Sequence, residues 1–387
     1  LTMVGVTGTN GKTTTAFLLH HLLTALGHTA GLIGTVEYRI GQQALPATHT
    51  TPDALALQHL LRQMADAGCT ACAMETSSHA LVQHRVRGVR YDAALFTNLT
   101  QDHLDYHDTF DAYLAAKKIL FDTLSEDAAA VVNLDDPAGA QMVADTAARV
   151  LTYGTGTEAD VRVEILENTL EGLRLRLDGG TRRFRLVGRF NAYNLAGAYG
   201  AARALGYGRD ETLDALAEAP PVPGRFEQFR FEDGTTAIVD YAHTPDALEN
   251  VLATIRETQP PGARLWCVFG CGGDRDRAKR PCMAQAAERL ADRLIVTADN
   301  VRTEPLARIM DDIRQGLERP DAARWIDDRA EAIATAAREA APGDVVLVAG
   351  KGHEDYQIVG TERHHFDDRE QVRRHFGLRT APSPRGA

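Results

Sequence analysis

The sequence predicts an α/β protein of two domains, and three observations carry that prediction. Short apolar runs alternate with stretches of helical periodicity along most of the chain, the pattern of a mostly parallel sheet covered on both faces. Near the N-terminus an apolar run enters a glycine-rich turn that opens directly on Gly-Lys-Thr. Between two such alternating regions lies AEAPPVPGR, rich in Pro and without periodicity, which reads as a linker. The domains are accordingly placed at residues 1–221 and 222–387.

Residues 3–6 (MVGV) form the first strand, and 12–26 carry helical periodicity that stops at Gly27, a natural C-cap. A second strand is expected over 30–37. Thr51-Pro52-Asp53 opens the next helix, with Thr51 as N-cap and Pro52 at the first helical position. Apolar strands follow over 69–74, 92–97 and 129–134, with helices between them. Three short alternating runs between 161 and 187, broken by Glu-Gly and Gly-Gly, predict a small antiparallel patch, and helix resumes at Asn191. Beyond the linker, FEQFRFEDGTTAIVDY predicts a hairpin turning at Asp233-Gly234. The strands LWCVFG, RLIVTA and DVVLVAG continue a second α/β alternation, and the tail RTAPSPRGA reads as disordered. No internal repeat is visible.

Bulk properties narrow the function classes. A length of 387 residues suits two or three domains, and a formal net charge of −11 argues against a nucleic-acid-binding surface. No apolar run spans a bilayer and no signal peptide is visible, so a cytoplasmic protein without membrane insertion is expected. The five cysteines make no disulfide framework. Cys69 and Cys72 have a redox-pair spacing, but CTACAMET reads as a buried strand in which Cys is a small hydrophobe. Leu1 opens directly on a strand pattern, and the natural N-terminus is expected upstream of it.

The sharpest chemical signal is VGVTGTNGKTT, residues 4–14. In a strand–turn–helix of this kind, backbone N–H groups and the helix N-terminus converge on phosphate oxygens. Lys12 reaches the terminal phosphates and the Thr13 hydroxyl contacts Mg²⁺. Val6 stands where the strict P-loop pattern has Gly, so the domain is P-loop-type rather than a literal match. Glu75 ends a strand in METSSH, where an α/β sheet presents groups to its ligand, and a carboxylate there suits Mg²⁺. Thr97-Asn98 ends the next strand and runs into QDHLDYH, a polar density that favours a site. Spacing alone leaves Lys117, in YLAAKK, as a solvated helix face.

GTNGKTTT, METSSHAL, FTNLTQDHLDYH, YLAAK, GRFNAYNLAGA, PGRFE, VDYAHTPD, GGDRDRAKRP, DNVR and AGKGHEDYQ occur here in the order of the Mur ligase family. The chain resembles that family from residue 1 to about 375. Its nearest resemblance is to the branch that adds the third residue of the peptidoglycan stem peptide. The resemblance implies a smaller Rossmann-like C-terminal domain that binds the amino-acid substrate. It also implies a preceding uridine-nucleotide-binding domain of about a hundred residues, expected upstream of Leu1. The implied reaction is ATP-dependent ligation: ATP phosphorylates a substrate carboxylate, and an amine attacks the acyl phosphate. The implied partners are UDP-N-acetylmuramoyl-L-Ala-D-Glu and a diamino acid, meso-diaminopimelate above lysine or ornithine, acted on by a monomer. A folylpolyglutamate-synthase-like ligase shares the phosphate loop, but HLDYH, DNVR and KGHEDYQ fit it poorly.

Site residues carry over in the same way. Gly8, Thr9, Asn10, Gly11, Lys12, Thr13 and Thr14 would hold ATP, Asn194 would contact adenine, and Arg225 and Asp240 would approach the nucleotide. Thr13 and Glu75 would hold one Mg²⁺; His103 and Lys117, the lysine that the family carbamylates, would serve a second. Lys12, Lys117 and His103 are thus the catalytic set. Thr50, Thr51, Ser77, Gln83 and Arg85 match positions that hold the muramoyl-dipeptide. Arg275, Asp299, Asn300, Val301, Arg302, Gly350 and Glu354 match those that select the amino acid. A guanidinium at Arg302 suits the far carboxylate of diaminopimelate, and Glu354 the ammonium on the same carbon. Val301 departs from the Pro usual in that tetrad, which frees φ before Arg302.

Overall fold

The structure, a computed structural model, describes residues 1–100, 102 and 104–377. The chain divides into two compact units, Leu1–Pro220 and Pro221–Ala387, with the Pro-rich linker at the boundary.

The strands of the first unit are β1 (Thr2–Thr7), β2 (Ala30–Ile33), β3 (Glu37–Ile40), β4 (Gln43–Pro46), β5 (Ala71–Glu75), β6 (Ala93–Phe96), β7 (Ala129–Asn133), β8 (Arg149–Gly154), β9 (Val161–Thr169), β10 (Gly172–Leu177) and β11 (Gly180–Phe184). They form one sheet in the order β11-β10-β9-β8-β7-β6-β1-β5-β2-β3-β4. The run from β9 to β2 is parallel, and the predicted antiparallel patch is β9-β10-β11 at one edge. In the central strands β2, β5, β1, β6 and β7 both faces are buried, whereas β8 and β9 leave part of theirs exposed. Val4 and Val6 of β1 face a core with Leu18, Leu19 and Leu22 of the Lys12–Ala25 helix and Leu195 and Tyr199 of the Arg189–Ala204 helix. Met3 faces the opposite core, with Met74, Phe96, Leu120 and Phe121.

Two sequence expectations need correction here. The strand expected over 30–37 ends at Ile33, and the chain turns into an antiparallel β3-β4 hairpin at the second edge of the sheet. The break is set by Glu75: a Cβ on Gly34 would lie 2.6 Å from Glu75 Oε1. The next residue, Thr35, donates its N–H to the same oxygen at 2.7 Å. Thr51 is not the N-cap of the following helix. Asp53 caps Ala54–Asp66, its Oδ1 accepting the Ala56 N–H, while Thr51 is drawn inward to the end of β5.

In the second unit the strands are β12 (Glu227–Arg230), β13 (Thr236–Asp240), β14 (Leu265–Phe269), β15 (Arg293–Thr297), β16 (Arg324–Ile326), β17 (Val345–Ala349), β18 (Tyr356–Val359) and β19 (Glu362–His365). The first six form a sheet in the order β12-β13-β17-β14-β15-β16, parallel apart from the predicted β12-β13 hairpin. Strand β16 and the β18-β19 hairpin are too short and polar to show as strands in the sequence. The core packs Val239, Trp266, Val268, Ile295, Val346 and Val348 against Ile333, Ala336 and Phe376. All five cysteines are free, and Cys69 and Cys72 are buried. Among the described residues no helix is long and apolar enough to cross a membrane. The residues of the expected disordered tail lie outside those described.

Candidate active site

Strands β5, β1 and β6 are parallel neighbours, so their C-terminal ends reach one edge of the sheet together. The register pairs Val6 with Glu75 and Thr7 with Phe96. The pairing of these strands therefore brings the glycine-rich turn, Glu75 and Thr97-Asn98 together from distant parts of the sequence, at the position where open α/β sheets bind ligands.

The turn is held from the β6 side. The Thr9 N–H donates to the Asn98 carbonyl at 2.8 Å, and the Asn10 N–H to Asn98 Oδ1 at 2.9 Å. Asn98 Nδ2 returns a bond to the Asn10 carbonyl at 3.2 Å, and the Thr97 hydroxyl donates to that same carbonyl at 2.6 Å. Close approach demands glycine: Gly8 has φ 147°, and a Cβ there would sit 1.9 Å from Thr97 Oγ1. Gly11, at φ 84°, leaves the space taken by Asn194 Oδ1, which a Cβ would meet at 2.4 Å. Asn194 is buried, donates to Asn191 Oδ1 at 2.9 Å, and accepts from Thr15 at 3.4 Å. Thr14 is buried in the first turn of the helix. The sequence marks Thr97 and Asn98 only as a polar strand end, whereas the structure makes them the clamp of the turn.

Two lysines meet at one carbonyl. Lys12 Nζ donates to the carbonyls of Gly8 at 2.9 Å and Thr9 at 2.8 Å, and Lys117 Nζ donates to Gly8 at 2.8 Å. Lys117 is buried, not a solvated helix-face residue, and its ammonium lies 4.3 Å from the Tyr113 ring centroid. Burial, and then the neighbouring Lys12 charge, hold its pKa well below that of an ordinary lysine, against the pull of Asp102. Tyr113, one helical turn earlier, shares a hydrogen bond with the Thr9 hydroxyl at 3.2 Å. His103 lies outside the described residues.

Beside the turn, the Thr13 hydroxyl donates to Glu75 Oε2 at 3.1 Å. Glu75 is fully buried and also accepts the Thr35 hydroxyl at 3.0 Å. A hydroxyl and a carboxylate side by side at a phosphate-binding turn match the donor set of Mg²⁺, which takes oxygen ligands and draws most of them from phosphate and water. Among the described residues no group of three or more His, Cys, Asp or Glu could hold a metal ion. A cation shared with a nucleotide fits the Thr13–Glu75 pair.

The predicted dipeptide-binding residues form one connected patch on this edge. Thr50 shares a hydrogen bond with Thr35 at 3.0 Å, which links it to Glu75. The Thr51 hydroxyl donates to the Glu75 carbonyl at 2.8 Å and accepts the Ser77 N–H at 3.0 Å. Arg85 donates to the Thr51 carbonyl at 3.1 Å and, through Nε, to Gln83 Oε1 at 2.8 Å. Gln83 donates to the Tyr106 hydroxyl at 2.9 Å.

In the second unit the predicted amino-acid-binding residues also assemble. Asn300 Nδ2 donates to Glu354 Oε2 at 2.8 Å, and the buried Lys351 donates to that same oxygen at 3.1 Å. Burial, and then the Asp299 charge, raise the Glu354 pKa. Gly350, at φ 119°, makes room for Asp299, whose Oδ2 a Cβ would meet at 2.6 Å. Arg302 takes the left-handed conformation, φ 53°, two residues after Asn300 and directly after Val301. Its Nη1 donates to the Gly273 carbonyl at 2.8 Å and the Asn300 carbonyl at 3.3 Å. Arg275 and Arg302 flank Gly272. Lys351 carries no signal of its own in the sequence beyond KGHEDYQ.

Arg225 and Asp240 neighbour one another near the start of this unit. Asp240 is buried, its two oxygens accepting the Phe226 and Ala242 N–H groups at 2.7 Å each. Burial raises its pKa, with Arg225 opposing. The Arg225 guanidinium lies 4.4 Å from the Tyr241 ring centroid.

Comparison with known proteins agrees with this architecture. Residues 6–202 match the Mur ligase middle domain, and 224–352 the Mur ligase glutamate ligase domain. A UDP-N-acetylmuramoyl-L-alanyl-D-glutamate–2,6-diaminopimelate ligase of Parabacteroides distasonis is 49% identical over 378 residues, covering 97% of this chain and 78% of that protein. A solved structure of such a ligase superposes with a TM-score of 0.68 at 38% identity, over 99% of this chain and 79% of the other. A folylpolyglutamate synthase of Mycobacterium tuberculosis shares the fold, with a TM-score of 0.69 at 19% identity over 91% and 89% of the two chains. With the domain matches and this level of identity in view, the chain belongs to the Mur ligase family.

Proposed function

We propose that this chain catalyses the ATP- and Mg²⁺-dependent addition of meso-diaminopimelate to UDP-N-acetylmuramoyl-L-Ala-D-Glu, as a cytoplasmic monomer. The observation that carries the reading is the grouping at one sheet edge of Lys12 and Lys117 on the Gly8 carbonyl with the Thr13–Glu75 pair. Two of the relatives named above, the Parabacteroides distasonis protein and the solved structure at 38% identity, are by name ligases of that substrate pair.

The chemistry follows from charge. A carboxylate oxygen must approach the γ-phosphorus of ATP, and two anions repel unless positive charge is concentrated between them. Lys12 and the helix N-terminus that follows supply part of it. Thr13 and Glu75 would hold Mg²⁺, which supplies charge neutralisation between phosphate and carboxylate when bound. The carboxylate takes the γ-phosphoryl group and ADP leaves. The amine then attacks the acyl carbon, loses its proton, and expels phosphate as the amide forms.

Lys117 is assigned a different role. Burial lowers the Lys117 pKa and so favours the neutral amine, the nucleophilic form that adds CO₂, and the resulting carbamate is an oxygen ligand instead of a cation. His103 is assigned beside it by the family resemblance alone, as Arg225 and Asp240 are assigned to the nucleotide. The patch of Thr50, Thr51, Ser77, Gln83 and Arg85 is assigned to the muramoyl-dipeptide. Residues 1–221 thus form the ATP-binding domain and 222–387 the amino-acid-binding domain.

Phosphate release with UDP-N-acetylmuramoyl-L-Ala-D-Glu tests the reading when diaminopimelate, lysine and ornithine are offered separately. Diaminopimelate should support turnover at least about 30-fold more efficiently than either, the ratio expected when a buried charge loses its partner. Preference for lysine or ornithine would replace the third substrate, and failure with all three would overturn the assignment. A second expectation concerns the turn. Gly8→Ala forces a side chain against Thr97 in a backbone region that L-residues avoid, at a cost of about 1–3 kcal/mol. ATP affinity, read by calorimetry, should fall roughly tenfold, the equivalent of about 1.4 kcal/mol.

A further inference from the structure

We propose that Asp274 is a positioning residue that sets selectivity for the third substrate, by fastening the loop that bears Arg275 to the loop that bears Arg302; this rests on the reading of that site given above. The two loops leave the adjacent parallel strands β14 and β15. Glycines bring them into contact: a Cβ on Gly273 would lie 1.9 Å from the Val301 carbonyl oxygen. One on Gly272 would lie 3.0 Å from Arg302 Nη1 and 3.7 Å from Arg275 Cγ, so two guanidinium-bearing side chains border one glycine. The Gly273 N–H donates to the Asn300 carbonyl at 2.9 Å, and Arg302 returns the bond to the Gly273 carbonyl.

Asp274 closes the far end of this contact. Its Oδ2 accepts the Thr303 N–H at 3.0 Å and the Thr303 hydroxyl at 2.8 Å. Its own N–H donates to Glu304 Oε2 at 3.0 Å. Glu304 is anchored from below by Arg280, a fully buried side chain that bonds both of its oxygens, at 2.9 and 2.6 Å. Arg280 also reaches Asp312 at 2.8 Å and the Gly272 carbonyl at 3.1 Å. The base of the device is therefore rigid, and Asp274 is its exposed upper fastening.

Backbone conformation shows why a fastening is needed. Asp274 has φ 55° and Arg302 φ 53°, left-handed values that non-glycine residues keep only when their surroundings over-determine them. Without the Asp274 carboxylate, Thr303 loses two bonds and the loop beside it loses its fixed distance from Arg275. A substrate whose far carboxylate engages these guanidinium groups registers the displacement, and lysine, which lacks that carboxylate, does not.

Steady-state kinetics of the full chain tests this, varying diaminopimelate, lysine, ATP and the UDP-muramoyl-dipeptide in turn. Asp274→Ala should raise KM for diaminopimelate about tenfold or more, since misplacement of a positioning group by about 1 Å costs up to about 100-fold. KM for ATP and for the UDP-dipeptide should stay near wild type, and the preference for diaminopimelate over lysine should fall in proportion. Asp274→Asn keeps a side-chain oxygen for Thr303 and tolerates the left-handed backbone, so it should recover most of the loss. A parallel rise of all KM values, a loss of kcat alone, or an unchanged preference in Asp274→Ala would overturn the proposal. A wild-type enzyme that prefers lysine would overturn the reading beneath it as well, whereas a wild-type preference for diaminopimelate that Asp274→Ala retains overturns this inference alone.

Discussion

Lys117→Ala is expected to lower turnover by about 10²–10³-fold or more, the range seen when a preorganised charge-stabilising group is removed from an active site. A short-chain carboxylate in solution should restore part of it, because the assigned role is that of an oxygen ligand and not a cation. Lys117→Met separates this role from folding. The Gly8 carbonyl keeps its bond from Lys12, and an apolar chain of similar length replaces a buried amine. The sign follows from the lowered pKa: unmodified Lys117 destabilises the folded chain most below its depressed pKa, and the penalty vanishes as pH rises past the ordinary lysine value of 10.5. In CO₂-free buffer Lys117→Met should therefore melt no lower than wild type at neutral pH, and its advantage should shrink with rising pH. Acid–base circular-dichroism melts and phosphate-release rates check the two halves independently. A Lys117→Ala enzyme within tenfold of wild-type turnover would falsify the assignment.

Much of the fold is legible in the sequence because local signals and tertiary needs agree. The run from β1 through Gly8–Lys12 into the Lys12–Ala25 helix states its own function, since glycines, a lysine and a helix start are all required by one phosphate-binding geometry. What the sequence hides are residues whose roles arise across long separations. Thr35 is an unremarked threonine until β5 brings Glu75 to it, 40 residues later in the chain. Thr51 carries every local mark of an N-cap, yet burial beside Glu75 outweighs capping and passes that task to Asp53. Lys117 sits in a pattern that suits a solvated face, and only the packing of its helix against the turn reveals a buried amine. Nothing in the sequence pairs Arg280 with Glu304 either, since 24 residues separate the two partners.

Arg302→Ala should reduce the efficiency of diaminopimelate use by roughly 30- to several-thousand-fold, while lysine use stays near wild type, since removing one partner of a charge pair that the bound substrate covers costs about 2–5 kcal/mol. The structure sharpens this expectation. Arg302 commits only Nη1 to the protein, on the Gly273 and Asn300 carbonyls. Among the described residues, its Nε and Nη2 make no hydrogen bond, so one edge of the planar fork is available to a carboxylate in bidentate geometry. Alanine at φ 53° also brings backbone strain of about 1–2 kcal/mol, which could mimic a loss of binding. Two further variants separate the causes. Arg302→Asn tolerates the left-handed backbone and removes the guanidinium, so it should lose diaminopimelate as fully as alanine does. Arg302→Lys keeps the charge without the fork, and should fall between wild type and alanine. Competition kinetics with both amino acids reads the ratio directly. If Arg302→Asn retained wild-type discrimination between diaminopimelate and lysine, the guanidinium would be a structural cap on two carbonyls and the far carboxylate would be bound elsewhere.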